Sequence, residues 1–207
     1  MTAPASQRTT GSLLHAGLAY AELGWPVLPG PICDGMASWH PASVEPLRCD
    51  QPSVNVELAT TDSEVISRWW TRFPAVILTV LGTRFDVLRV PTPTALQATV
   101  AMSRGSQLGP VALAADGTRF FVKPGSTLKP EMACIRGVEL VRRGSLIPLP
   151  PSRIKPGVVS WWISPTTVKV RLGNACDIQD AILGTLPNNS ATHLPLVGHR
   201  NEQYLRT

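Results

Sequence analysis

The sequence predicts a single domain of mixed α+β class, and three observations predict it. Short apolar runs come in pairs, as at 75–82 and 85–91, with helical stripes between the pairs rather than in a separate block; that order belongs to a mixed sheet with flanking helices. The length of 207 residues suits one core of ordinary size. With 43% hydrophobic and 16% charged residues, the chain is globular and not disordered.

Residues 1–11 are small and polar and are expected to be disordered, leaving a domain over 12–186 and a loose tail over 187–207. In "SLLHAGLAYAEL" (12–23), Leu13, Leu14, Leu18 and Ala21 or Leu23 follow helical spacing, with Gly24 as the stop. "WPVLPG" reads as a short strand closed by Pro29-Gly30, and 31–59 as a loop long enough to suggest function. Thr61 and Glu64 make a capping box ahead of a stripe of Val65, Ile66, Trp69 and Trp70, and Pro74 ends that helix. "AVILTVLG" and "RFDVLRVP" are adjacent strands about a turn near Gly82-Thr83. A third helix covers 94–104, closed by Gly105. "GPVALAADGTRFFVKPG" is a hairpin about Asp116-Gly117. "GVELVRRGSLIPLPPS" supplies two short strands and "VVSWWIS" another, before a last helix over 176–184 capped by Gly184.

Charge is unevenly spread. Residues 1–83 hold 4 Lys/Arg against 7 Asp/Glu, a net of −3, whereas 84–155 hold 11 against 4, a net of +7. A basic middle fits a polyanion-binding face, with a solvated basic surface as the plain alternative. No run of 18 apolar residues offers a membrane span, and "MTAPASQRTTGS" lacks an apolar signal core, so a cytoplasmic protein is expected. Cys33, Cys49, Cys134 and Cys176 form no C-x-x-C pair and read as free thiols; Cys33, His40 and Cys49 make at best a weak metal site of irregular spacing. Phosphate-loop, dinucleotide, zinc-protease and nucleophile-elbow motifs do not occur.

The ordered segments nonetheless resemble a family. "ALAYAELGWPVLPG", His40-Pro41, "TTDSEVISRWWTRFP", "FDVLRVP", "LGPVAL", "GVELVRRGSLIPLPPS" and "VVSWW" together are similar to the N-terminal domain of bifunctional DNA primase/polymerases, within the archaeo-eukaryotic primase superfamily, and most to its short actinobacterial versions. The resemblance implies an RRM-like sheet with a small α/β subdomain. It also implies a chemistry in which carboxylates hold Mg²⁺ or Mn²⁺ ions that promote nucleotidyl transfer to a 3′-hydroxyl. An acid pair one residue apart on a strand, a third acid on a neighbouring strand and a Ser/Thr-x-His element would carry it.

Placed on this chain, the acid pair falls at Arg89 and Pro91, the triphosphate element at Thr118 and Phe120, and the third acid at Glu139. One carboxylate of three remains. Asp86 is three residues from 89, an odd offset that points it to the other face of a regular strand. It is expected to cap the strand or pair with Arg84 or Arg104; with Glu139 it, or Asp116 in its place, is a catalytic candidate only if the site is rearranged. Arg89 binds phosphate in place of the metal, pairs with Glu139, or takes an exposed edge position. Arg119, Arg142, Arg143 and Arg153 join Arg89 and Thr118 as candidate nucleotide or nucleic-acid contacts. Trp69-Trp70 and Trp161-Trp162 are candidates for base stacking, against the plain reading of core positions. The expected function is a catalytically degenerate primase/polymerase-like domain that binds DNA, RNA or a nucleotide. The alternatives are an active metal-dependent enzyme and a protein-interaction module on an inherited fold.

Overall fold

The computed structural model describes residues 5–34, 38–39, 55–102 and 108–186. Two larger antiparallel sheets organise them. The first takes β1 (Val27–Cys33), β2 (Ser38–Trp39) and β3 (Ala75–Val80) from the first half of the chain and β8 (Leu146–Pro148) from much later, in the order β2-β1-β3-β8. The second contains β4 (Asp86–Val90), β5 (Val111–Ala114), β6 (Gly117–Val122), β7 (Glu139–Val141) and β11 (Ser160–Ile163), in the order β11-β5-β6-β4-β7. A small ribbon pairs β9 (Arg153–Ile154) with β10 (Gly157–Val158). Helices α1 (Ala5–Glu22) and α2 (Ser63–Arg72) pack on the first sheet, α3 (Thr92–Met102) and α5 (Ala175–Thr185) on the second, and the short α4 (Pro130–Ala133) beside α5. The α+β class expected from the sequence is the class observed.

β3 and β4 follow one another but do not pair. Each instead pairs with a later strand: Leu78, Thr79 and Val80 with Pro148, Ile147 and Leu146, and Val87, Leu88 and Arg89 with Val141, Leu140 and Glu139. One long antiparallel ladder therefore runs through both sheets and bends where it passes between them. In the bend, Leu81 N–H donates to Ser145 O (2.9 Å), Gly144 N–H to Leu81 O (3.2 Å) and Gly82 N–H to Phe85 O (2.9 Å). Gly82 and Gly144 have φ of +96° and +85°, conformations that glycine adopts without a Cβ penalty.

Period-2 alternation divides the second sheet between two cores. Leu88, Val90, Phe120, Val122 and Leu140 face α3 and α5, where Ala98, Ile178 and Ile182 meet them. Val87 and Phe121 face the other way, into a core shared with Val27 and Ile77 of the first sheet and with Trp25, Ile66 and Trp70. Each large side chain fully buried in this way contributes roughly 1.5–3 kcal/mol. Tyr20 is sealed in the shared core; its hydroxyl donates to Pro150 O and accepts from Trp161 Nε1 at 2.9 Å, and burial pushes the phenol far above the ordinary tyrosine range.

Several elements differ from expectation. α1 starts at Ala5, ahead of the expected Ser12, because no proline after Pro4 interrupts it. The N-cap of α2 is Asp62, not Thr61: its carboxylate accepts from Glu64 N (2.8 Å) and Val65 N (3.2 Å). β1 does not stop at Pro29-Gly30 but continues through an irregular register, and Gly30 leaves room for Leu78, whose Cδ1 lies 2.8 Å from where a Cβ would sit. β2 and a turn of 3-10 helix (Val56–Leu58) occupy part of the expected loop 31–59, and α4 and the β9–β10 ribbon were not expected at all. α5 begins at Ala175 with Asn174 as N-cap and runs past Gly184 to Thr185. No helix among the described residues is long and apolar enough to cross a membrane. The expected tail lies outside the described residues.

Candidate functional site

Arg89 lies on the face of β4 opposite Leu88 and Val90, and strand pairing fixes its neighbours. Across β6 its partner is Arg119, and across β7 it is Glu139, so the three form one row on one face of the sheet. Ala114 pairs with Gly117, which makes Ala115-Asp116 the two-residue turn of the β5–β6 hairpin, one position earlier than the sequence suggested. The turn brings Asp116 over the same row.

The result is a connected set of ion pairs. Arg89 Nη1 donates to Asp116 Oδ2 at 3.1 Å, and Arg89 Nη2 donates to Glu139 Oε2. Arg119 Nη2 meets both oxygens of Asp116, at 3.0 and 3.1 Å, and its Nη1 donates to the Pro148 carbonyl at 3.0 Å. Burial alone would lower the affinity of Arg119 for its proton; the facing Asp116 carboxylate opposes that, while the Arg89 charge adds to it. The bond to Pro148 ties the row to β8 of the first sheet. Two guanidinium groups thus face two carboxylates, and the set is neutral.

Asp86 is not part of this row. Its odd offset from Arg89 puts it on the opposite face, where it is 1% exposed and accepts from Gly125 N at 2.8 Å. Among the described residues it pairs with neither Arg84, one of its two expected partners, nor another cation, and its Oδ1 is buried without a protein donor; Arg104, the other expected partner, lies outside the described residues. Thr118 also faces away: it pairs with Val90, is fully buried and meets Thr92 Oγ1 at 3.3 Å. Phe120 is fully buried on that same face. The expected register of the triphosphate element is therefore off by one, because alternation that puts Arg89 on the site face must put Arg119 there and exclude 118 and 120.

Arg142 and Arg143 are exposed in the turn beyond β7, at the bend of the ladder. Arg153 is exposed on the β9–β10 ribbon and donates to Asp34 O at 3.1 Å. Cys33 is buried in β1, while His40 and Cys49 lie outside the described residues. Trp70 belongs to the core and donates to Ala75 O at 2.8 Å; Trp161 is half-buried against that core, and Trp162 is 37% exposed. Asp116 was legible as a turn residue and as an alternative to Asp86 in a rearranged site; its role in the row depends on the hairpin register.

A metal pair of the kind the resemblance implies would need carboxylates converging on one point. Among the described residues no cluster of three or more His, Cys, Asp or Glu does so. Pro91 offers no ligand, Asp86 faces away, and the two acids that do converge, Asp116 and Glu139, are bridged by Arg89. Among the described residues this donor set does not fit two divalent ions.

The chain matches the family described as "Bifunctional DNA primase/polymerase, N-terminal" over residues 17–176. Neither the curated proteins nor the solved structures contain a match.

Proposed function

We propose that this chain, which belongs to the bifunctional DNA primase/polymerase N-terminal family, keeps the family's framework as a nucleic-acid binding domain without metal-dependent nucleotidyl transfer. One observation carries the proposal: the Arg89 guanidinium sits between Asp116 and Glu139, filling with a fixed positive charge the place where the family's metal-binding acids are expected. A guanidinium neutralises the carboxylates but cannot activate a hydroxyl or polarise a leaving pyrophosphate as a metal does.

Because Arg89 and Arg119 are neutralised within the row, phosphate contact falls to the exposed cations, foremost Arg142 and Arg143 in the turn beyond β7. DNA, RNA and nucleotides remain the ligand classes, and their common feature is phosphate.

The test has two halves. Primer synthesis and primer extension are assayed with Mg²⁺ and with Mn²⁺, and no product is expected. Activity that disappears in Glu139→Ala would replace this reading with that of an active enzyme. Fluorescence anisotropy with labelled single-stranded DNA and RNA should show an affinity that falls as salt rises, through counterion release. A flat isotherm at low salt rules out nucleic-acid binding.

A further inference from the structure

We infer that the outer face of α2 is a second contact surface for single-stranded nucleic acid, on which bases stack while phosphates meet two arginines. The inference rests on the nucleic-acid reading above and names a separate place where the strand is held.

Helical spacing builds the surface. Arg68 and Arg72 are one turn apart on one ridge, and Trp69 and Phe73 are one turn apart on the next. With Val65 they line an open cavity of about 350 Å³, near the lower end of the range for ligand pockets. Arg68 and Arg72 are exposed and, among the described residues, make no ion pair. Phe73 is 42% exposed, an unusual placement for a phenylalanine.

The Trp69 ring and the Phe73 backbone are held in place before any ligand arrives. Trp70 is anchored by its hydrogen bond to Ala75 O, and Trp69 meets it edge-on, with centroids 6.0 Å apart and planes at 81°. Phe73 is the C-cap of α2, its N–H bonded to Trp69 O at 3.2 Å, and the following Pro74 restricts its backbone further. Ordering the Trp69 ring and the Phe73 backbone on binding therefore costs little.

Charge selects the occupant. Residues 1–83 carry a net of −3 and only four Lys/Arg, yet two of the four stand here beside two aromatic rings. That combination suits an unpaired strand: a ring accepts the face of any unpaired base, and a guanidinium accepts the phosphate beside it. A duplex, whose bases are stacked within itself, offers the rings nothing. The helix C-terminus is partly negative, so the phosphates must meet the guanidinium heads rather than the helix end.

The experiment is anisotropy of a fluorescein-labelled oligo-dT and of a duplex of equal length. The proteins compared are the wild type, Phe73→Ala, Arg68→Ala/Arg72→Ala and Arg142→Ala/Arg143→Ala, each checked by circular dichroism. Phe73→Ala should weaken oligo-dT about tenfold and the duplex hardly at all, and Phe73→Trp should restore binding. Arg68→Ala/Arg72→Ala should flatten the log–log salt dependence by about 1.4, the value for two phosphate contacts on a single strand. If the wild type binds and Arg142→Ala/Arg143→Ala weakens it, while both α2 variants bind as the wild type does, this inference is overturned and the nucleic-acid reading stands. If the wild type does not bind, both fall. Equal loss for oligo-dT and duplex would also overturn it, since stacking demands the difference. So would a folded Phe73→Ala that binds oligo-dT normally but loses a co-purifying protein.

Discussion

Arg89 and Arg119 bring the same charge to the same row, but their surroundings differ. The side chain of Arg89 is 34% exposed and its partners Asp116 and Glu139 are 40% and 52% exposed, so water screens both of its pairs. The Arg119 side chain is only 6% exposed, is held by both oxygens of Asp116, and also satisfies the Pro148 carbonyl on the other sheet. Arg89→Ala should therefore cost about 0.5–1 kcal/mol. Arg119→Ala removes charge-assisted bonds from a buried position and opens a gap where its stem packed, so it should cost about 2–3 kcal/mol. Urea denaturation of the two variants measures the difference. Equal costs would mean that the row is held from Arg89 and that the tie to β8 contributes little.

At the scale of the element, the bent ladder is where backbone geometry is most demanding. A Cβ on Gly82 would lie 2.3 Å from the Arg143 Cα, a backbone atom that cannot step aside, and φ is +96°. Gly144, across the same bend, has φ of +85° but nothing within 4 Å of its Cβ position. Gly82→Ala should thus cost about 3 kcal/mol or more, through clash added to strain, and Gly144→Ala only about 1 kcal/mol, through strain alone. Thermal melts of the pair check this, and similar losses would refute the clash. The sequence made the longer elements legible but not their partners. The stripe of α2 and the β5–β6 hairpin followed from local periodicity and a turn signal. The division of β3 and β4 between sheets did not, because each is specified by pairing with residues 50 to 70 positions later in the chain. The site was legible to the same depth. Glu139 and Arg89 are paired across the row, one of the three outcomes expected for Arg89. Thr118 was placed one residue out of phase, because which face a β6 residue takes depends on register with β4, a property that no single segment of sequence contains. Asp62 was passed over for Thr61 because both are good caps, and only the backbone decides which one precedes the first turn.

For the molecule as a whole, the question is whether two sheets mean two independently stable units. The arrangement argues for one. The ladder passes through both sheets, and Val27 and Ile77 of the first share a core with Val87 and Phe121 of the second. The second core, around α3 and α5, is lined by the opposite face of β4 and β6, so it cannot be lost without exposing strands on which the first core rests. The tryptophans make this testable. Trp25, Trp70 and Trp161 all belong to or pack against the shared core, and none of the described tryptophans belongs to the core at α3 and α5. Ile182 is fully buried in that second core. Ile182→Ala should cost about 2–5 kcal/mol. If the cores unfold together, the urea midpoint read by tryptophan fluorescence will move by the full amount, although no described tryptophan borders the substitution, and it will coincide with the midpoint read by far-ultraviolet circular dichroism. A fluorescence midpoint that stays put while part of the dichroism signal is lost early would show that the second core unfolds alone. The ladder would then be a hinge between two units rather than the spine of one.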